Sequence, residues 1–211
     1  MVDVTLSEEE QVEALKKWWR ENGRAVVAGV VVGLGAVFGW RYWTDYQSGI
    51  AQQASLQLAQ LEQSVANANS DLATTQAKQM LEKFQGTPYA VFAALNLAKV
   101  MQQSGENESA VAQLKWALDN SSDNSLKQIM RARMARILVS MERLDEAEKV
   151  IASADNDSFK GEFAELRGDI ARARGDNAAA RAAYQQALDS GVSSSVMVQM
   201  KLDDLAPPVG G

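Results

Sequence analysis

Apolar residues are spaced in three different ways along this chain, and each spacing predicts a different element. From Ala25 to Trp40 they are nearly continuous, A-V-V-A-G-V-V-V-G-L-G-A-V-F-G-W, with no charged residue. Sixteen helical residues rise about 24 Å, against about 30 Å for a bilayer's hydrocarbon core. Arg24 and Arg41 bracket the run, and their long stems can snorkel to the headgroups. Trp18, Trp19, Trp40, Tyr42 and Trp43 set aromatic rings at both ends, where amphipathic rings prefer to sit. Residues 23–43 therefore read as a transmembrane helix behind a head of residues 1–22. A cleaved signal peptide needs small residues after its apolar run, and Trp40-Arg41-Tyr42-Trp43 is bulky. Beyond Thr44 the spacing becomes three and four, with Ile50, Ala54, Leu58, Leu61 and Val65, which predicts a connecting helix over 44–70. Asn67-Ala68-Asn69-Ser70-Asp71 breaks it, and Ser70 or Asp71 is placed to cap a helix from Leu72 to Phe84.

The third spacing repeats. Aligning Val91–Asp119 with Gly161–Asp189 at Gly105 and Gly175 sets Ala110 on Ala180, Leu114 on Tyr184 and Ala117 on Ala187. Gln128–Ala154 fits the same frame through Ala135, Ala147 and Ile151, with Glu142 in place of the turn glycine. The pattern resembles the tetratricopeptide repeat, a helix–turn–helix unit of about 34 residues. It implies an all-α chain, an N-terminal transmembrane helix followed by a tetratricopeptide-like right-handed helical repeat domain over 71–206. The repeats lie near 91–119, 128–154 and 161–189. Small residues (Ala98, Gly168, Ala110, Ala180) belong where helices cross closely, and Leu114, Ile151 and Tyr184 fill the gaps between repeats. Val196, Met200 and Leu205 share one face of a terminal helix, 193–205, that caps the stack. Residues 207–211 read as a loose tail.

Charge sets the orientation. Lys16, Lys17, Arg20 and Arg24 precede the span, whereas Arg41 is followed by no basic residue until Lys78. The head is expected in the cytoplasm and the repeats on the far side. The net charge of −6, without a clustered basic patch, argues against nucleic acid. Gly29, Gly33, Gly35 and Gly39 form four-residue spacings that allow close packing of membrane helices, although glycine is common in such helices anyway.

The chain has no histidine and no cysteine, which removes imidazole bases, thiolate nucleophiles and Cys/His zinc sites together. Glu8-Glu9-Glu10 suit a helix start, Asp203-Asp204 a solvated face, and Ser193-Ser194-Ser195 a helix cap. No catalytic, cofactor-binding or metal-binding residue is assigned, and an enzyme is not expected. The useful surface should be the concave side of the stack, made by the first helix of each repeat. In the repeat frame Phe92, Leu95, Lys99 and Gln103 face it from the first unit, Arg136 and Ser140 from the second, and Glu165, Asp169 and Arg172 from the third. A mixed apolar and charged groove suits an extended peptide or a partner helix.

The whole chain resembles the YfgM family of ancillary SecYEG translocon subunits. The carrying residues are Gln11-Val12-Glu13-Ala14, Glu21-Asn22-Gly23, Gly39-Trp40-Arg41-Tyr42-Trp43, Ala54-Ser55-Leu56, Leu97-Ala98, Asp169 to Ala183 with Gly175-Asp176, and Met197-Val198-Gln199-Met200-Lys201. The resemblance implies a bacterial inner-membrane protein, N-terminus cytoplasmic and repeats periplasmic. It implies that the chain links SecYEG to periplasmic chaperones, PpiD among them, and touches the Rcs stress response from the cytoplasmic side. The same architecture, without the resemblance, would equally serve a membrane-anchored scaffold for cell-wall synthesis or division.

Overall fold

The computed structural model describes residues 8–152 and 157–205. Ala154 and the expected tail at 207–211 lie outside them. The described elements are helical: α1 (Glu8–Ala66), α2 (Ser70–Lys83), α3 (Pro88–Gln103), α4 (Asn107–Asn120), α5 (Asn124–Ser140), α6 (Leu144–Ala152), α7 (Lys160–Ala173), α8 (Asn177–Asp189) and α9 (Ser195–Asp203), with a 3-10 turn at Asp157–Phe159. The chain divides into two units, Met1–Gln52 and Gln53–Gly211.

The first unit is the greater part of α1. The sequence treats head, span and connecting helix as separate segments, whereas α1 runs unbroken for 59 residues. Val31, Val32, Leu34, Phe38 and Trp40 are more than half exposed, an apolar surface that water would not tolerate at this length. The helix is long and apolar enough to cross a membrane.

The second unit is built on one turn used repeatedly. Ala68, Gly105, Glu142 and Gly175 have left-handed backbones, φ 55°, 81°, 60° and 80°, at intervals of 37, 37 and 33 residues. At Gly105, Ser104 N–H donates to Val100 O, Gly105 N–H to Gln102 O and Glu106 N–H to Met101 O. The same three bonds recur around Ala68, Glu142 and Gly175, a Schellman closure that satisfies the carbonyls left open at a helix end. Glu142 thus keeps the backbone conformation of the glycine it replaces. Ala68 marks a fourth helix–turn–helix unit that the sequence reading did not assign. The end of α1 is its first helix, and Ala54, Leu61 and Ser64 are buried there. The cap of α2 is neither Ser70 nor Asp71 but Asn69, whose side chain accepts from Leu72 N–H at 3.2 Å.

The frame defined by these turns orders the core. Five residues after each turn stand Ala73, Ala110, Ala147 and Ala180, all fully buried. Seven residues before it stand Leu61, Ala98, Ala135 and Gly168, and nine after it Ala77, Leu114, Ile151 and Tyr184. The two rows exchange volume: Leu with Ala in the first unit, Ala with Leu or Ile in the next two, Gly with Tyr in the last. At Gly168 the reason is direct, because a Cβ there would lie 2.3 Å from Tyr184 Cε1. Tyr184 therefore fills its own unit more than the gap to a neighbour. Beyond a further left-handed turn at Gly191, α9 covers the end. It does so through Val198, with Leu202 and Leu205 packed alongside. Val196 and Met200, expected inside, are 75% and 58% exposed.

Candidate protein-binding surface

What fixes the rotation of α9 is an ionic cluster. Lys201 Nζ donates to Glu165 Oε1 at 2.8 Å and to both Asp169 oxygens at 2.7 and 2.8 Å. The Tyr184 hydroxyl donates to Asp169 Oδ1 at 2.8 Å, and the ammonium stands 5.8 Å from the centre of the tyrosine ring. Arg136 Nη2 approaches Glu165 Oε2 at 3.9 Å from the neighbouring unit. Glu165 is only 5% exposed, so its charge has lost its water and requires a cation nearby. Burial, then the bond to Asp169, holds the Tyr184 phenol above the ordinary tyrosine range.

The nine groove residues consequently divide. Phe92, Lys99, Gln103, Arg136, Ser140 and Arg172 are exposed. Leu95 is not a groove residue: at 8% exposure it belongs to the core with Val91 and Ala98. α3 is covered on more than one side, because α2 and α4 both pack against it. Glu165 and Asp169 are also withdrawn from free surface, since Lys201 of α9 occupies them. Sequence reasoning missed Lys201 and Tyr184 as partners here. The signal was a single lysine between Val198 and Leu202 on a capping helix, with two carboxylates four apart on α7.

The charge along two of the first helices, α3 and α5, is one-sided, whereas α7 mixes both signs. Neither α3 nor α5 carries an acidic residue, while together they present Lys99, Lys127, Arg131, Arg133 and Arg136. Acidic residues of the second helices α4 and α6 tie successive units together at the turns. Arg143 pairs with Glu108 and Glu146 at 2.6 Å each, and Arg174 with Asp145 at 2.7 Å and Glu148 at 2.8 Å. These hydrogen bonds raise both guanidinium pKa values, yet the pairs are exposed, so they mark register more than they add stability. Beside the basic helices, a notch of about 350 Å³ is lined by Pro88, Val91, Phe92, Ser121 and Leu126. Exposed Phe92 and the lysines and arginines form a surface that can hold an extended segment by an apolar anchor and charge.

In α1, a Cβ at Gly29, Gly33, Gly35 or Gly39 would meet nothing within 4 Å, so these faces are open. Among the described residues there is no cluster of three or more metal-ligating side chains.

The sequence model of the tetratricopeptide repeat-like domain family matches residues 16–207. An Escherichia coli K12 protein named ancillary SecYEG translocon subunit is 33% identical over 207 residues, spanning 97% of this chain and all of that protein. This chain belongs to the family of ancillary SecYEG translocon subunits. A Haemophilus influenzae member is 34% identical over 95% of this chain and 98% of its own length. A solved structure of Pseudomonas aeruginosa pilF is similar with a TM-score of 0.60 over 74% of this chain and 69% of that one, at 18% identity. That likeness shows the helical-repeat fold alone.

Proposed function

We propose that this chain is a non-enzymatic ancillary subunit of the SecYEG translocon that links the channel to periplasmic chaperones. The observation that supports the translocon part of the reading is the likeness, over 95% or more of the chain, to relatives named ancillary SecYEG translocon subunits. In this reading α1 spans the inner membrane with its N-terminal head in the cytoplasm and the repeats in the periplasm, as the lysine and arginine bias favours. Phe92, Lys99, Gln103, Arg136, Ser140 and Arg172 form the surface offered to a partner, with PpiD the expected one. The cytoplasmic head is the segment available to the Rcs response regulator. Glu165 and Asp169 serve this surface indirectly, by seating α9.

The test is extraction of the tagged full-length protein in mild detergent, with and without crosslinking, and identification of what is retained. Recovery of SecY and PpiD is expected, with loss of PpiD when Lys99 and Arg136 are changed to glutamate. Recovery of a cell-wall or division complex, with translocon components at background, would overturn the assignment.

A further inference from the structure

At the N-terminal edge of the uncharged run, Trp19, Arg20, Gly23, Arg24, Val27 and Val31 border a shallow notch of about 700 Å³. Gly23 makes the notch possible. A Cβ there would stand 3.2 Å from Trp19 Cε2 and 3.3 Å from its Nε1, so the indole lies down on the bare glycine and forms one wall. Arg20 and Arg24 form the upper rim, one helical turn and about 6 Å apart along the axis. Neither guanidinium has a carboxylate partner among the described residues, and no acidic side chain lines the notch. Val27 continues the same face, and Val31 lies about 10 Å deeper than Arg24.

We propose that this notch binds an anionic phospholipid, its phosphate bridged by Arg20 and Arg24 and an acyl chain lying along Val27 and Val31. Two unpaired guanidiniums one turn apart match the oxygens of a single phosphate diester, since guanidinium presents paired donors to such groups. The aromatic wall sits at glycerol level, where indole rings favour the interface. Charge at the rim and hydrocarbon directly below is the profile of a lipid and not of a soluble anion. The inference rests on α1 spanning the bilayer.

Full-length protein is reconstituted into vesicles of phosphatidylcholine with one-fifth phosphatidylglycerol, extracted in mild detergent, and the lipids retained are counted by native mass spectrometry. Phosphatidylglycerol should be enriched over phosphatidylcholine. The Arg20→Gln and Arg24→Gln variants should each weaken that preference about fivefold, the size expected for one basic side chain held at an anionic surface. Gly23→Leu, which displaces the indole, should lower it with the charge unchanged. Lys16→Gln/Lys17→Gln removes twice the charge of either arginine variant, outside the notch, and should leave it intact. Inorganic phosphate at 50 mM should not compete. Loss in the lysine variant as large as in the arginine variants, competition by phosphate, or no preference in the unaltered protein would each overturn the site. Alkaline carbonate washing of the same vesicles separates the readings: protein released by the wash refutes span and site together, and protein retained without lipid preference refutes the site alone.

Discussion

Replacing Gly168 with alanine tests the packing rule of the last unit. The added Cβ would sit 2.3 Å from Cε1 and 2.4 Å from Cδ1 of a tyrosine that is itself fully buried. The ring has to move, and its hydroxyl is the one donating to Asp169 beside Lys201. Alanine gains about 1 kcal/mol over glycine inside a helix. Against this stand about 1–3 kcal/mol for forcing an overpacked core and about 1.5–3 kcal/mol for a hydrogen bond to a charged group. The balance is a net loss of about 3 kcal/mol, or about 10 °C in Tm for a domain of this size. The second and third units supply the remedy, since they place alanine opposite Leu114 and Ile151. Gly168→Ala combined with Tyr184→Leu should therefore be more stable than the sum of the two single changes predicts, by at least about 1 kcal/mol. Thermal unfolding of the full-length protein in mild detergent, followed by circular dichroism, measures all four members of the cycle. An unaltered melting temperature for Gly168→Ala, or strict additivity in the double variant, would refute the volume exchange.

Glu142 holds a left-handed backbone that costs an L-residue about 1–2 kcal/mol, so Glu142→Gly should stabilise the domain by about 1 kcal/mol in the same assay; a lower Tm counts against the turn assignment. The raised Tyr184 pKa has a definite sign: above pH 10 the unfolded chain loses this proton while the native one keeps it, so stability falls as pH climbs past the ordinary tyrosine value. Tyr184→Phe should flatten that alkaline decline, and an unchanged slope would remove Tyr184 as its source. The cysteine-free chain allows single thiols to be introduced cleanly. Gln102→Cys should react with a membrane-impermeant maleimide in spheroplasts and Glu13→Cys only after lysis, whereas the reverse pattern would invert the topology.

The repeat architecture was legible because its positions are set by size and turn chemistry, and those leave letters in the sequence. Gly105 and Gly175 announce their turns. Glu142 could be placed only by frame, and Ala68, with no glycine and with Leu61 and Ala77 in exchanged sizes, hid the first unit altogether. Asn67-Ala68-Asn69 standing 37 residues before Gly105 was the signal available. The face of α9 was misjudged for a different reason. Apolar spacing alone put Val196 and Met200 inside, but a buried carboxylate on α7 pulls Lys201 inward and turns the helix with it. Pair interactions between distant segments leave no period to read, which also explains why Leu95 seemed available and Glu165 and Asp169 seemed free.

The reciprocal sizes at residues 61 and 77, 98 and 114, 135 and 151, and 168 and 184 bear on how such an array can be recombined. A crossover placed between units carries both partners of a pair together and leaves each of these pairs matched. A crossover at the left-handed turn separates them. Joining the helix of Leu61 to that of Tyr184 brings two large side chains to one place, and joining Gly168 to Ala77 leaves a void. The heritable module of this domain is therefore the whole hairpin, and chimeras between relatives should tolerate junctions at the loops before Pro88, Asn124 and Lys160 far better than junctions at residues 105, 142 or 175.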